Sequence, residues 1–513
     1  MSEGKELILA YDLGTGGNKA SLFDAEGINR ASVFVPYETF YPGTGLHEQR
    51  PEDWWDAVVA GTKKLLNESG QDPNQVVCIS ISGHSLGAVP LDGKGNLLRE
   101  TTPIWSDTRT AAQTARFFKN IDYKSWYETT GNGFPPECYT LFKVMWYRDN
   151  EPDMFDSTKF VLGTKDYINF RLTGERVTDF SYASGLGAYD LTGWRYKSEY
   201  FSAAEIDAGM FPEILPSTEV IGNLLPEAAE VLGLPKETKV VCGGVDNSCM
   251  ALGARTIREG RVYTSLGSSS WIAVSSRRPV IDTERRPFVF THVVPDMFAS
   301  AVSIFSAGSS FAWVRDVMCR DLVERADRKG LNVWKLMTGE AEGSPAGAKG
   351  LLFNPSLAGG SSQEASPHIR GAFSGIDLGH TRADCIRAAM EGIAMNLGAV
   401  LKVLREVAEL EEEMLLVGGG SRSPLWRQIF ADVFEMTVIR TNVGQDAGSL
   451  GAAAVGAVGC GLWDNFSKID GVHRVENRES PVPERVETYK RLREGFELQR
   501  AHQAELGELL RGN

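Results

Sequence analysis

The sequence predicts a two-domain α/β protein with parallel-type sheets in both halves. Three observations predict it: a length of 513 residues, strands that alternate with helices, and a hairpin theme that occurs once in each half. At this length one ordinary hydrophobic core is exceeded, so two cores are expected. Hydrophobic residues at 42% and charged residues at 23% exclude disordered, collagen-like and fibrous chains. The formal charge of -14 argues against a nucleic-acid surface, since phosphate backbones are held by clustered Lys and Arg. Small metabolites or other proteins are the expected partners, and a bound polyanion needs local positive elements or a metal to offset repulsion.

The elements follow in order. An apolar strand from Leu7 to Tyr11 ends in Asp12, and a glycine turn leads to a second strand, Asn18 to Asp24. A third strand spans Arg30 to Tyr37. A helix starts at Pro51 and stops at Gly70, matching the positional preferences of those two residues. The strand from Gln75 delivers Gly83 and His84 into a loop. Beyond Pro103 come the segment Ile104 to Arg109 and mixed helical stretches without a clear linker.

From Lys239 a strand, a double glycine and Asp246 precede a helix, and the domain division is placed here, giving 1–245 and 246–513. Thr264 to Trp271 then repeats the opening theme: strand, Leu-Gly, small hydroxyl residues, strand. Two such hairpins, one per half, suggest a duplicated phosphate-gripping unit. A long helix from Arg382 to Glu409 leads into the strand Glu413 to Val417, a triple-glycine turn, a helix from Pro424 and the strand Met436 to Thr441. The small residues from Ala447 to Trp463 suit a closely packed helix better than a membrane span.

Seven cysteines, an odd number with no CxxC pair, indicate neither a disulfide framework nor a zinc site, and reduced buried thiols are expected. The first residues show no secretory pattern. A cytoplasmic enzyme with no membrane partner is expected.

The segment Asp12 to Lys19 combines a carboxylate, the glycines Gly14, Gly16 and Gly17, the Thr15 hydroxyl and a cation. Glycines let backbone N–H groups approach an anion, and a carboxylate beside phosphates makes sense when Mg²⁺ sits between them. Lys19 then touches a phosphate oxygen. The structural alternative is an ordinary hairpin. Gly267 and Ser268 supply a second set of donors, as the opposing jaw for a triphosphate. Asp246 reads either as a helix N-cap or as a general base accepting a hydroxyl proton during phosphoryl transfer. Asn247 is then placed to hydrogen-bond a polyol. Gly418 to Trp426, between strand and helix, suits backbone approach to a nucleotide or is a plain turn.

Other chemistries lack their motifs. There is no GxxxxGK[ST], no strand-linked GxGxxG and no HExxH. Gly83, Ser85 and Gly87 match a GxSxG pattern, yet a hydrolase leaves both hairpins without a purpose.

Taken in order, these segments resemble the FGGY carbohydrate kinase family and, within it, xylulose kinases and their relatives. The similarity runs through Asp12 to Lys19, Thr164 to Glu175, Gly243 to Asn247, Ser265 to Ser269, Gly371 to Gly392 and Gly418 to Val433. The resemblance implies a two-lobed actin-like (ribonuclease H-like) ATPase scaffold, with ATP in a cleft between duplicated lobes and phosphorylation of a sugar hydroxyl. By motif position Asp12 is similar to the Mg²⁺-linked carboxylate and Asp246 to the catalytic base. Gly267 and Ser268 correspond to γ-phosphate contacts, and Gly308, Gly419 and Ser423 to the nucleotide pocket. His84, Trp105, Asp107 and Asn247 fall where the family lines its sugar site. Where xylulose kinases usually carry Met-His-Gly, this chain has Ser85, Leu86 and Gly87.

The resemblance thus implies ATP and Mg²⁺ as cofactors and a ketose, xylulose-like sugar or sugar alcohol as partner, with a homodimer left open. Two other readings keep the scaffold: an actin-like or chaperone-like ATPase acting on a protein partner, and a kinase-derived protein that binds sugar without phosphorylating it.

Overall fold

Residues 6–361 and 363–511 are described by the computed structural model. Leu7–Gly14 (β1), Gly17–Asp24 (β2) and Asn29–Pro36 (β3) pair antiparallel in succession. Pro51–Ser69 (α1) has proline in its first turn and ends at Gly70, whose left-handed φ of 62° closes the helix. Val76–Gly83 (β4) lies parallel to β1. Thr164–Thr173 (α2) and the single turn Phe180–Ala183 (α3) follow. Val220–Asn223 (β5), Lys239–Val241 (β6) and Gly244–Val245 (β7) are strands, and Asp246–Gly253 (α4) is a helix.

Val262–Leu266 (β8), Ser270–Ser276 (β9) and Phe298–Ile304 (β10) precede Gly308–Met318 (α5) and Arg382–Val407 (α6). Glu413–Val417 (β11), Pro424–Phe434 (α7), Thr437–Thr441 (β12), Ala447–Gly459 (α8) and Val475–Glu479 (β13) complete the framework.

The first sheet has the order β5-β6-β4-β1-β2-β3, with β7 also paired to β4. Within the second unit the order is β10-β9-β8-β11-β12-β13. In each, a hairpin strand (β1 or β8) runs antiparallel to its successor and parallel to a later strand, and the far edge strand (β5 or β13) is antiparallel. The duplication suggested by two similar hairpins therefore extends to the strand order.

Contacts divide the chain into one unit running to Arg258 with Ser275–Ser300 and Asp446–His473, and a second made of Glu259–Val274, Ala301–Gln445 and the chain from Arg474. A single cut after Val245 does not describe this division. β6 and β7 pair with β4, and α4 lies along α8, so Asp246 and its helix stay with the first unit. A Cβ on Gly253 would fall 1.7 Å from the Ala447 carbonyl oxygen, and one on Gly451 1.8 Å from that of Cys249. Small residues allow the two helix backbones to touch, which is why the Ala447 stretch is a buried helix.

The first core gathers Tyr11, Trp54, Val58, Ile79, Ile81 and Tyr167 beneath the sheet. All seven cysteines are free, six of them buried. Among the described residues no helix is long and apolar enough to cross a membrane.

Candidate active site

Asp12 lies inside β1 rather than at its end, directly across from Lys19 of β2. The Ser82 hydroxyl donates to Asp12 Oδ1 at 2.9 Å. On the other side α8 begins so close that a Cβ on Gly448 would sit 2.5 Å from Asp12 Oδ2. Burial raises the Asp12 carboxyl above the usual carboxylate range, with Ser82 and Lys19 acting against it and Asp446 adding to it. The Lys19 ammonium forms an ion pair with Asp446. At the turn, the Trp105 indole donates to Thr15 Oγ1 (2.9 Å) and Gln49 Nε2 to the Thr15 carbonyl (2.7 Å). The Gly14 carbonyl accepts the Tyr37 hydroxyl.

Asp246 is the first residue of α4, whose N-cap is Val245. Its Oδ1 accepts from the Asn247 backbone N–H (2.8 Å) and from Asn247 Nδ2 (3.1 Å), so the N-cap reading does not describe it. Burial pushes its carboxyl up to about 7, with the nearby Asp12 charge contributing in the same direction. His84 hangs on the backbone of β1 through its N–H to Leu13 O (2.9 Å). Its Nδ1 lies 3.3 Å from Thr164 Oγ1, its ring stands edge-on to Trp54, and its Nε2 is buried without a partner among the described residues. Burial lowers His84 to about 4 and keeps it neutral.

Asp107, expected at the sugar, is closed on protein. Its Oδ1 accepts from Arg109 N (3.1 Å) and Nε (2.8 Å), and its Oδ2 from Arg109 Nη2 and His47 N (2.7 Å each). Both oxygens are engaged, because Arg109 two residues on folds back as a fork. Asp107 shapes the loop that carries the half-buried Trp105. Lys143, which sequence reasoning did not assign to the site, is fully buried and donates to the carbonyls of Leu86 (2.8 Å) and Ile104 (2.7 Å), tying the His84 loop to the Trp105 loop. No local pattern marks it, since its acceptors are backbone carbonyls remote in sequence. Ser82 was legible in principle, two residues before His84 on a strand next to β1.

In the second unit, Gly267 and Ser268 form the exposed turn between β8 and β9. The start of α5 lies against it: Gly308 N–H donates to Gly267 O (2.9 Å), and the N–H groups of Ala307 and Ser309 to Ser268 O (3.0 Å each). A Cβ on Gly308 would meet Gly267 O at 2.4 Å, so glycine is what permits this approach. Gly418, at φ 89°, closes on Leu266 in the same way. Gly419 is exposed, with only Gln445 Nε2 near its missing Cβ, at 3.7 Å. Ser423 has a structural task as the N-cap of α7, accepting from Trp426 N. Gly267, Gly308 and the Gly418–Gly420 turn thus gather around the end of β8.

A duplicated α/β chain with paired glycine turns and a raised carboxyl at a helix start defines a class, the phosphotransferases that act on an alcohol. Comparison with known proteins gives the family. Residues 7–253 match the N-terminal domain, and residues 262–460 the C-terminal domain, of the FGGY family of carbohydrate kinases. The chain is 31% identical over 461 residues to a xylulose kinase of Bacillus subtilis, covering 90% of each. It is similar in structure to a gluconate kinase of Lactobacillus acidophilus, with TM-score 0.88 and 25% identity over 98% of this chain and 99% of that one. A xylulose kinase of Rhodospirillum rubrum gives TM-score 0.88 and 28% identity over 98% and 100%. The chain belongs to the FGGY family of carbohydrate kinases, and is a sugar kinase that uses ATP. An ATPase serving a protein partner is thereby set aside.

Proposed function

We propose that this kinase transfers the γ-phosphoryl group of ATP to a hydroxyl of a neutral sugar, a xylulose-like ketose or a sugar alcohol, with Asp246 as general base. The observation that carries the reading is the Asp246 carboxyl, raised to about 7 at the start of α4 and paired with Asn247. A base is most effective when its pKa lies near the working pH, since it is then both deprotonated and basic enough to take the hydroxyl proton. Asn247, His84 through its buried Nε2, and Trp105 take the sugar, and Asp107, two residues after Trp105, fixes that loop through Arg109. The residues assigned to the nucleotide are Gly14, Thr15, Lys19, Gly267, Ser268, Gly308 and Gly419, with Ser423 holding the helix behind Gly419.

Among the described residues no cluster of three His, Cys, Asp or Glu is arranged to hold a metal. One carboxylate suits Mg²⁺, which keeps several waters and binds mainly through substrate phosphates. Asp12, with its charge disfavoured by burial, fits such an ion. When bound it would neutralise phosphate charge. The residues then position the acceptor, remove its proton at Asp246 and hold the donor in line.

A neutral acceptor is favoured over a sugar acid by where the cations point. Arg109 is engaged by Asp107 and Glu48, and Lys143 by two carbonyls, whereas a carboxylate ligand calls for a forked or point cation. The buried, unlinked thiols suit a reducing cytoplasm.

The test is ATP turnover, with product detected directly, over pentuloses, hexuloses, polyols and D-gluconate. Phosphorylated ketose or polyol at a kcat/KM at least tenfold above gluconate is expected. Faster gluconate turnover overturns the neutral-acceptor reading, and sugar binding without product overturns the kinase mechanism.

A further inference from the structure

We propose that α3 is a positioning element that holds the His84 loop and Asp246 in register through two adjacent hydroxyls, Tyr182 and Ser181. The Tyr182 hydroxyl donates to the carbonyl of His84 (2.9 Å) and accepts the N–H of Thr164 (2.8 Å), whose own hydroxyl meets the His84 ring. The Ser181 hydroxyl donates to Asp179 and accepts the N–H of Val245 (2.9 Å), the residue immediately before Asp246. Consecutive helical side chains point about 100° apart, so neighbours in sequence reach two different walls of the site.

A single helical turn has almost no stability of its own, and α3 is fixed at its root. Asp179 is its N-cap, accepting the N–H groups of Ser181 (2.9 Å) and Tyr182 (3.3 Å). The same carboxylate accepts the Ser217 hydroxyl (2.7 Å) and pairs with Lys165 at 3.2 Å. Lys165 also pairs with Asp166 (2.7 Å) and donates to the Cys242 carbonyl (3.1 Å), on the chain that leads into Asp246. All three charged side chains are almost wholly out of water. A buried ionic group of this kind is costly to desolvate and is weak evidence for stability. What it supplies here is placement, because Tyr182, Ser181 and Lys165 reach backbone at His84, Val245 and Cys242 respectively.

The inference rests on the reading of those two residues as sugar contact and base, and the experiment separates the two. Tyr182→Phe and Ser181→Ala each remove one hydroxyl, and kinetics are measured with D-xylulose, or with D-gluconate should that be the faster acceptor. For Tyr182→Phe the expected result is an acceptor KM about tenfold higher with kcat nearly unchanged. Ser181→Ala should lower kcat about tenfold with acceptor KM nearly unchanged, and Ser181→Thr, which keeps the hydroxyl, should recover it. The KM for ATP stays at the parental value in all three. Lower melting temperatures with unchanged kinetic constants, or the same constant moved equally by both variants, overturn the proposal and leave α3 a brace.

His84→Ala and Asp246→Asn serve alongside. If they impair acceptor KM and kcat while the α3 variants do not, only the positioning role fails. If they change nothing, the reading of the site fails and this inference with it.

Discussion

At the scale of the residue, Asp246 is a carboxyl whose proton is bound far more tightly in the folded chain than in the unfolded one, chiefly through burial. Its working form as a base is the carboxylate, so kcat/KM should fall about tenfold per pH unit below about 7 and level off above it. Asp246→Asn should lose on the order of a hundredfold or more in turnover and lose that acid limb. Stability runs the other way. An unfolded Asp releases its proton near 3.8 while folded Asp246 keeps it up to about 7, so stability is full below the lower value and is lost as pH rises between them. Asp246→Asn, neutral throughout, should be more stable than the parent at pH 8 by roughly 2 kcal/mol, with the full shift discounted for partial exposure. Urea unfolding in metal-free buffer reads this. The gain should shrink towards zero near pH 4, and equal midpoints at pH 8 would remove the claim that this charge is held against a cost.

At the scale of the element, α8 sets Asp12 by its nearness. A methyl added at Gly448 would fall 2.5 Å from Asp12 Oδ2, forcing the carboxylate off the Ser82 hydroxyl. Gly448→Ala should therefore lower kcat about tenfold and cost about 1–3 kcal/mol of stability as overpacking. Gly471→Ala, with nothing within 4 Å of the new methyl, is the control and should leave kcat at the parental value. The hairpins, both ends of α1 and the start of α7 were legible in the sequence because they are local: a proline start, a glycine stop, a glycine turn between alternating strands. The tie between α8 and Asp12 was not, because residues 12 and 448 are far apart in sequence and meet only where α8 packs across β1 and β4. The closing of Arg109 on Asp107, two residues apart, is local as well, yet no periodicity signals such a fork. α3 carries no periodicity at all in four residues, and its importance lies in bonds to residues as far away as His84 and Val245.

At the scale of the whole molecule, two sheets of the same strand order carry different chemistry. The first unit carries charged and polar side chains, Asp12, Lys19, His84 and Asp246, whereas the second carries glycine turns and hydroxyls around the end of β8. Such a division of labour predicts which kinetic constant each unit controls. Gly308→Val places a side chain where a Cβ already lies 2.4 Å from Gly267 O, displacing the start of α5 from the turn it supports. The KM for ATP should rise about tenfold while the acceptor KM stays within about twofold, since one set of donors is moved and the sugar loops are not. Trp105→Ala removes the indole bonded to Thr15 and should raise the acceptor KM by a similar factor, with a smaller effect on ATP. If the two groups act on separate ligands, the free-energy costs in kcat/KM of the double variant should equal the sum of the single ones within about 0.5 kcal/mol. A Gly308→Val enzyme whose acceptor KM rises as much as its ATP KM would show that the duplicated units do not divide the work in this way.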